Sequence, residues 1–341
     1  MIKKKIIITG ANGFIGQNFL DKLSQKKHDV INIDCITDAS DSSVQKRFKW
    51  VLFKKVNLCN KKKIQDIFLN FKPDIVVNFA AHSHVDKSIN DSRIFLENIN
   101  GTYNLLENSL KIFDYKKIKF LQISTDEVFG SINKGRFNEK SSYRPNSPYS
   151  ASKASCDHLV RAFNKTYGLP TLTTYSCNNY GPYQHLEKLI PLTIFSFLSK
   201  NKMGIYGNGN QKRQWIYIED NISAIYKILN INFDGSVHCI GSRYEMDNIT
   251  LVKKIIKILN KKIHSKLYFN YMDHIKYVKD RPGHDLRYAL NSNKMRNKLK
   301  WRPSKSFEEG LGETLTWYYD NKSFFKNFSK KFFFKRLGLK I

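Results

Sequence analysis

The sequence predicts an α/β protein built on a doubly wound parallel sheet, with a smaller α+β lobe completing it. Three observations predict this. A β-branched run at residues 4–9 breaks at a glycine-rich turn; apolar strands and amphipathic helices then alternate; and after about Asn178 the alternation gives way to short segments separated by Gly, Pro and Asn.

Taken in order, residues 4–9 read as a parallel strand buried on both faces, because the run is continuously apolar and stops at Gly10. Over 14–26, Phe14, Ile15, Phe19, Leu20 and Leu23 recur at helical spacing. A second strand, 30–33, ends at Asp34. Further strands are expected at 50–56, 75–79, 119–123 and 171–175, with helices over 62–70, 94–113 and 149–167. Two later segments, 215–218 and 236–240, are expected to return to the sheet. The expected division is a dinucleotide-binding domain over 1–178, with returning segments near 213–241. A second lobe covers 179–212 and 242–323, and a basic aromatic tail covers 324–341.

Composition narrows the function classes. At 341 residues the chain can bury a substantial core. Its five cysteines are scattered, odd in number and form no CxxC pair, which points to a reducing compartment and away from a disulfide framework or zinc site. The apolar run at the start stops at Thr9-Gly10, too short for a secretory signal, and no stretch is long enough to span a bilayer. A soluble, cytoplasmic protein is expected. The net charge of +29 comes mostly from lysines spread everywhere and not interleaved with aromatics, so it reads as a solvated surface that steers anions and not as a nucleic-acid interface.

Three constellations carry chemistry. Gly10-Ala11-Asn12-Gly13-Phe14-Ile15-Gly16 lies between strand and helix, where glycines let backbone N–H groups approach a pyrophosphate at the helix N-terminus. Asp34, at the end of the second strand, suits ribose hydroxyls and repels a 2′-phosphate, which favours NAD over NADP. Tyr149 and Lys153 stand one helical turn apart; an ammonium beside a phenol lowers its proton affinity, so the pair can take a proton from a hydroxyl. Asp126 and Glu127 follow a strand ending in Ser124-Thr125. Adjacent carboxyls in such a place are commonly solvated or capping, but the pair can also divide into acid and base.

With these residues in view, the chain closely resembles the dTDP-glucose 4,6-dehydratases, extended short-chain dehydrogenase/reductases with a Rossmann fold. The resemblance runs from the glycine turn to about Tyr318 and includes Ala80–Asp86, Ser124–Val128, Ser147–Ser155, Asn178–Tyr183, Glu187–Pro191 and Asp280–Asp285. It implies that Tyr149, with Lys153 and Thr125, deprotonates the sugar 4-hydroxyl as NAD takes hydride from carbon 4. Glu127 then removes the carbon 5 proton, Asp126 protonates the departing 6-hydroxyl, and hydride returns to carbon 6. Sugar-nucleotide 4-epimerases share the glycine turn and the Tyr/Lys pair but typically lack the acid pair. The resemblance further implies cofactor contacts at Asn57, Leu58, Ala80, Ala81, Ser83 and Asn179. Nucleotide-sugar contacts are implied at Ser83, Thr125, Asn178, Lys188, Leu189, Tyr206, Arg213, Asn248, His284 and Arg287, with the two arginines as diphosphate clamps. It also implies a homodimer formed through the long helices.

The sequence departs from the family pattern at Phe129, Asn57, His82, Asn210 and Gln214, which leaves thymidine and uridine nucleotides both open. His82-x-His84 has no evident third ligand, so no metal is expected. In the tail, Phe324, Phe328 and Phe332 fall at helical spacing among Lys326, Lys330, Lys331, Lys335 and Arg336. Such a helix could rest on an anionic membrane, but packing on its own domain is the expectation.

Overall fold

The computed structural model describes residues 3–24, 28–263 and 275–327. Its centre is a seven-stranded sheet, all parallel, assembled from β1 (Lys5–Thr9), β2 (Asp29–Asp34), β3 (Leu52–Lys55), β4 (Ile75–Asn78), β5 (Lys119–Thr125), β6 (Thr171–Ser176) and β10 (Val237–Ile240) in the order β10-β6-β5-β4-β1-β2-β3. Parallel strands need crossovers. These are supplied by α1 (Phe14–Ser24), α2 (Val44–Arg47), α3 (Lys61–Phe71), α4 (Val85–Asn90), α5 (Leu96–Phe113) and α6 (Pro148–Tyr167).

The two-residue period of a strand explains why β1 is continuously apolar. Ile6 and Ile8 pack on one face with Val30, Val77 and Leu121, whereas Ile7 joins Ile31, Val76 and Phe120 on the other. The edge strand β3 has only one strand neighbour and its residues are mostly exposed, which is why it is shorter than the 50–56 run suggested. The helix expected at 94–113 begins at Leu96, behind a single 3₁₀ turn over Arg93–Phe95.

After β6 the chain peels away from the large sheet. β7 (Asn178–Tyr180) pairs with β9 (Lys212–Tyr217), and β9 with β11 (Glu245–Asp247), in a separate three-stranded sheet. Of the two expected returns, therefore, only the second joins the large sheet: residues 215–217 belong to β9, while Val237–Ile240 pairs with β6 as its edge. A two-stranded ribbon, β8 (Met203–Tyr206) with β12 (Ile275–Val278), and the helices α7 (Leu189–Leu198), α8 (Ile218–Ile228), α9 (Asn248–Ile263), α10 (Asn293–Leu299) and α11 (Phe307–Asp320) complete the second half.

Phe324 and Phe325 are buried against Tyr318, with Phe324 also against Trp317 and Tyr183. The start of the aromatic tail thus packs on its own domain. Phe328, Phe332, Lys330, Lys331, Lys335 and Arg336 lie outside the described residues. No described helix is long and apolar enough to cross a membrane. All five cysteines are free thiols.

Candidate active site

The glycine turn is shaped by contacts that only hydrogen atoms allow. Gly10 has φ +71°, and a Cβ there would sit 2.7 Å from the backbone of Ala80. At Gly16 a Cβ would meet the Ala11 Cα at 2.6 Å and the Gly10 carbonyl at 2.7 Å, so α1 can start close behind β1. Asp34 is buried beside this turn and accepts from the N–H groups of Asn12 (3.1 Å) and Ile36 (2.9 Å). Burial raises its proton affinity, and those two bonds oppose the rise.

A cavity of 320 Å³ runs from this turn along the carboxyl ends of the strands. Gly10, Gly13, Phe14, Ile15, Gly16, Asp34, Asn57, Leu58, Ala80, Ala81 and Ser83 line one end; Thr125, Asp126, Glu127, Tyr149, Lys153, Asn178, Asn179 and Lys188 line the other. A crevice at strand ends is where open α/β sheets bind ligands, and its volume suits small molecules.

The reactive groups meet where β5 ends. Thr125 leaves the strand and its Oγ1 accepts from the Glu127 N–H at 3.3 Å, fixing a short 3₁₀ turn over Asp126–Phe129. That turn points two carboxyls inward. Asp126 is 2% exposed; burial first, and then the neighbouring Glu127 charge, push it up to about 8. Thr125 Oγ1 donates to its Oδ1 at 3.4 Å, while Oδ2 is buried with no partner among the described residues. Burial also raises Glu127, but the cations of Arg281, Lys188 and Arg213 oppose it. The two neighbours thus differ in environment: burial and the Glu127 charge hold the proton on Asp126, whereas three cations oppose the rise at Glu127.

Tyr149 is delivered by the first turn of α6. Pro148 occupies its start, and Ser147 and Ser150 form a reciprocal capping box that sets the entry angle. Its ring packs edge-on against Phe95. Lys153 does line the cavity, but its Nζ donates to the Ile123 carbonyl at 2.7 Å. Burial and the Glu127 carboxyl dominate the phenol and raise it above its ordinary value, with the Thr125 hydrogen bond opposing.

Other expected positions divide. Lys188 reaches the cavity beside Glu187 (3.4 Å) and the Ser83 carbonyl (3.4 Å). Leu189, Tyr206, Arg213, Asn248, His284 and Arg287 are not among its lining residues. Leu189 opens α7 and Asn248 opens α9, where the Asn248 N–H bonds the Gln211 carbonyl at 3.1 Å. Tyr206 hydroxyl bonds Asp86, and its ring stands edge-on to His284. His284 pairs with Asp280 at 2.6 Å and is pushed down to about 4, chiefly by burial and then by the Arg281 charge. Arg213 donates to the carbonyls of Lys212 and Asp285 and lies over the Tyr288 ring, yet its charge reaches both Asp126 and Glu127. The Arg287 fork grips Glu245 of β11 at 2.5 and 2.9 Å and the Gly135 carbonyl.

The arginine that sequence reading passed over is Arg281. It pairs with Asp86 at 3.5 Å, has a buried Nε without a partner among the described residues, and is the strongest cation acting on Glu127. Its only signal was membership of the Asp280–Asp285 motif. His84 and His185 both pair with Glu187, at 3.5 and 3.4 Å, and His82 with Glu97 at 3.3 Å. Among the described residues no cluster of three or more His, Cys, Asp or Glu side chains could hold a metal. The departures have local explanations. Phe129 packs against Tyr175 and Phe137, Asn57 bonds Glu97 and the Cys59 N–H, and the Gln214 amide ties Ser242 to Leu290 in the core.

A family model described as GDP-mannose 4,6 dehydratase matches residues 7–314. The dTDP-glucose 4,6-dehydratase of Haemophilus influenzae is 43% identical, over 93% of this chain and 98% of its own. The chain belongs to the dTDP-glucose 4,6-dehydratase family. A relative from Escherichia coli in the same family is 41% identical, over 98% of this chain and 99% of its own. Among solved members, the Streptomyces venezuelae dTDP-glucose 4,6-dehydratase with NAD bound superposes with a TM-score of 0.86 at 34% identity, covering 94% of this chain and 98% of that one. The Thermotoga maritima UDP-glucose 4-epimerase has the same fold at 26% identity, with a TM-score of 0.82 and coverage of 93% and 99%.

Proposed function

We propose that the protein converts dTDP-glucose to dTDP-4-keto-6-deoxyglucose, using NAD without net oxidation or reduction. The observation that carries this is the meeting of Asp126, Glu127 and Tyr149 at one end of a cavity whose other end is the Gly10–Gly16 turn. An epimerase needs the phenol alone; removing a proton from carbon 5 while protonating the leaving hydroxyl on carbon 6 needs a base and an acid together.

The residues present fit the cofactor: Gly10, Gly13 and Gly16 line the cavity at the start of α1, where a pyrophosphate can approach the backbone, and the Asp34 carboxyl lines it where ribose hydroxyls would come. NAD, when bound, supplies a hydride acceptor that later returns the same hydride. Tyr149, as the phenolate that the Lys153 ammonium one helical turn away would stabilise, takes the 4-hydroxyl proton, with Thr125 as its hydrogen-bond partner. Glu127, favoured as a carboxylate by Arg281, Lys188 and Arg213, accepts the carbon 5 proton, which the 4-keto group has made acidic. Asp126, protonated up to about pH 8, donates to the departing hydroxyl. Lys188 and Arg213, joined by Arg281, hold the diphosphate. The 179–212 and 242–323 segments form the nucleotide-sugar lobe and the chain works as a cytoplasmic homodimer.

Incubating the purified protein with dTDP-glucose, and separately with UDP-glucose, tests the reading by product mass and the alkaline absorbance of a 4-keto sugar. Loss of one water from dTDP-glucose with the higher kcat/KM is the expected result. Turnover of neither, with NAD bound, would overturn it.

A further inference from the structure

A second cavity, of 310 Å³, shares no lining residue with the first. It is walled by Tyr180 of β7, Trp215 and Tyr217 of β9, the turn after β10, and the segment 302–307 that leads into α11. Tyr244 and Phe307 stack face to face along it, with centroids 4.6 Å apart. Nothing in the proposed dehydration uses it.

Its charges are one-sided. Arg243, Arg296, Arg302 and Lys305 line it against a single carboxylate, Asp220. Asp220 is already occupied by the N–H and hydroxyl of Ser304 (2.7 Å each) and the N–H of Lys305 (3.3 Å). Lys305 is paired with Glu219 and Glu313. The three arginines are not: among the described residues none has a carboxylate within 4.0 Å. Among the described residues the Nε of Arg296 is buried without an acceptor, and so is the indole N–H of Trp215, a residue 5% exposed. Burial lowers Arg296, and the like charges of Arg243, Arg136 and Arg302 add to that. The surrounding acids are accounted for. Glu245 grips Arg287, with Arg136 at 4.0 Å, and Glu308 pairs with Lys254.

Arg296, partly buried with an unsatisfied Nε and crowded by the exposed Arg243 and Arg302, is stabilised when an anion joins the three like charges. In a chain whose cations are mostly lysines on the surface, this gathering of arginines is distinct. We propose that the second cavity binds a small phosphate-bearing anion, held by the forks of Arg243, Arg296 and Arg302. A carboxylate is satisfied by one fork; three forks lining one cavity match the several oxygens and multiple charge of a phosphoryl group. The site lies directly behind the first, because Trp215 is paired with Asn178, which lines the catalytic cavity.

Titration of inorganic pyrophosphate, inorganic phosphate, glucose 1-phosphate and acetate into the full-length protein, by calorimetry and tryptophan fluorescence, tests this. Saturable pyrophosphate binding is expected, weakened by added salt and weakened about ten-fold or more in the Arg296→Gln/Arg302→Gln double variant. It should persist in Lys188→Gln, which disturbs only the first cavity. Arg243→Gln, at an exposed residue, serves if the double variant fails to fold. Glucose 1-phosphate binding above phosphate would support a phosphate ester as occupant, and equal binding would support the free ion. No saturable binding of any phosphate probe, acetate binding as tightly as pyrophosphate, or binding lost in Lys188→Gln and retained in the arginine variants would each overturn the proposal.

Discussion

Replacing Asp126 with asparagine should separate the catalytic value of its proton from what that proton does to stability. An aspartate ordinarily titrates at 3.8, whereas burial beside Glu127 raises Asp126 to about 8. Between those values the folded chain holds a proton that the unfolded chain has released. The sign follows: the contribution is fully present below the unfolded value and is lost as pH rises toward the folded one. Stability therefore falls by about 1.4 kcal/mol for each pH unit of rise in that window. From about pH 5 to about pH 7 the loss is about 2.7 kcal/mol. With an unfolding entropy of about 2.1 cal/mol/K per residue over 341 residues, this corresponds to about 4 °C in Tm. The asparagine amide carries no such proton. The Tm advantage of Asp126→Asn over the parent should widen by about that much between the two pH values, while turnover falls by about 10²-fold or more. Differential scanning calorimetry of both proteins across the pH range reads this directly, since groups that do not interact with Asp126 cancel in the difference. A Tm difference that stays flat with pH would refute the assignment of Asp126 as an acid kept protonated by burial.

Glu127→Gln should leave oxidation at carbon 4 intact but abolish solvent deuterium incorporation at carbon 5, with turnover down about 10²–10⁴-fold, measured by mass spectrometry in D₂O. Tyr149→Phe keeps the ring against Phe95, so its Tm should stay within a few degrees while kcat falls about 10²-fold or more, read by product formation. Gly16→Ala forces a methyl group against the Gly10 carbonyl at 2.7 Å and the Ala11 backbone; it should destabilise the fold by about 1–3 kcal/mol in urea unfolding and weaken NAD binding by calorimetry.

Legibility in the sequence followed sequence distance. The turn from β1 into α1, and the turn carrying Thr125, Asp126 and Glu127, are dictated by residues beside one another, so glycine placement and a strand's end reveal them. Tyr149 and Lys153 share one helix for the same reason. What their side chains touch was not legible, because the Ile123 carbonyl that takes Lys153 comes from β5, 30 residues earlier. Arg281 and Arg287 stand in similar sequence surroundings, yet one meets Asp86 and the other Glu245. That choice depends on how the ribbon and the small sheet dock. The placement of 215–217 in a second sheet likewise rests on β7 leaving the first, and the arginine cavity joins residues from Tyr180 to Phe307 that no local motif connects.

The strand β10 has a consequence for how the chain comes into being. It covers the edge of β6, but it is encoded more than sixty residues later, beyond the small sheet's first two strands. At a synthesis rate of about 5–20 residues per second, β6 would wait on the order of 3–13 seconds with its outer hydrogen-bonding edge unpaired. A nascent or truncated chain ending near residue 178 would present that edge permanently and invite pairing with other copies. Completion of the cofactor-side sheet is thereby tied to synthesis of the far half of the chain.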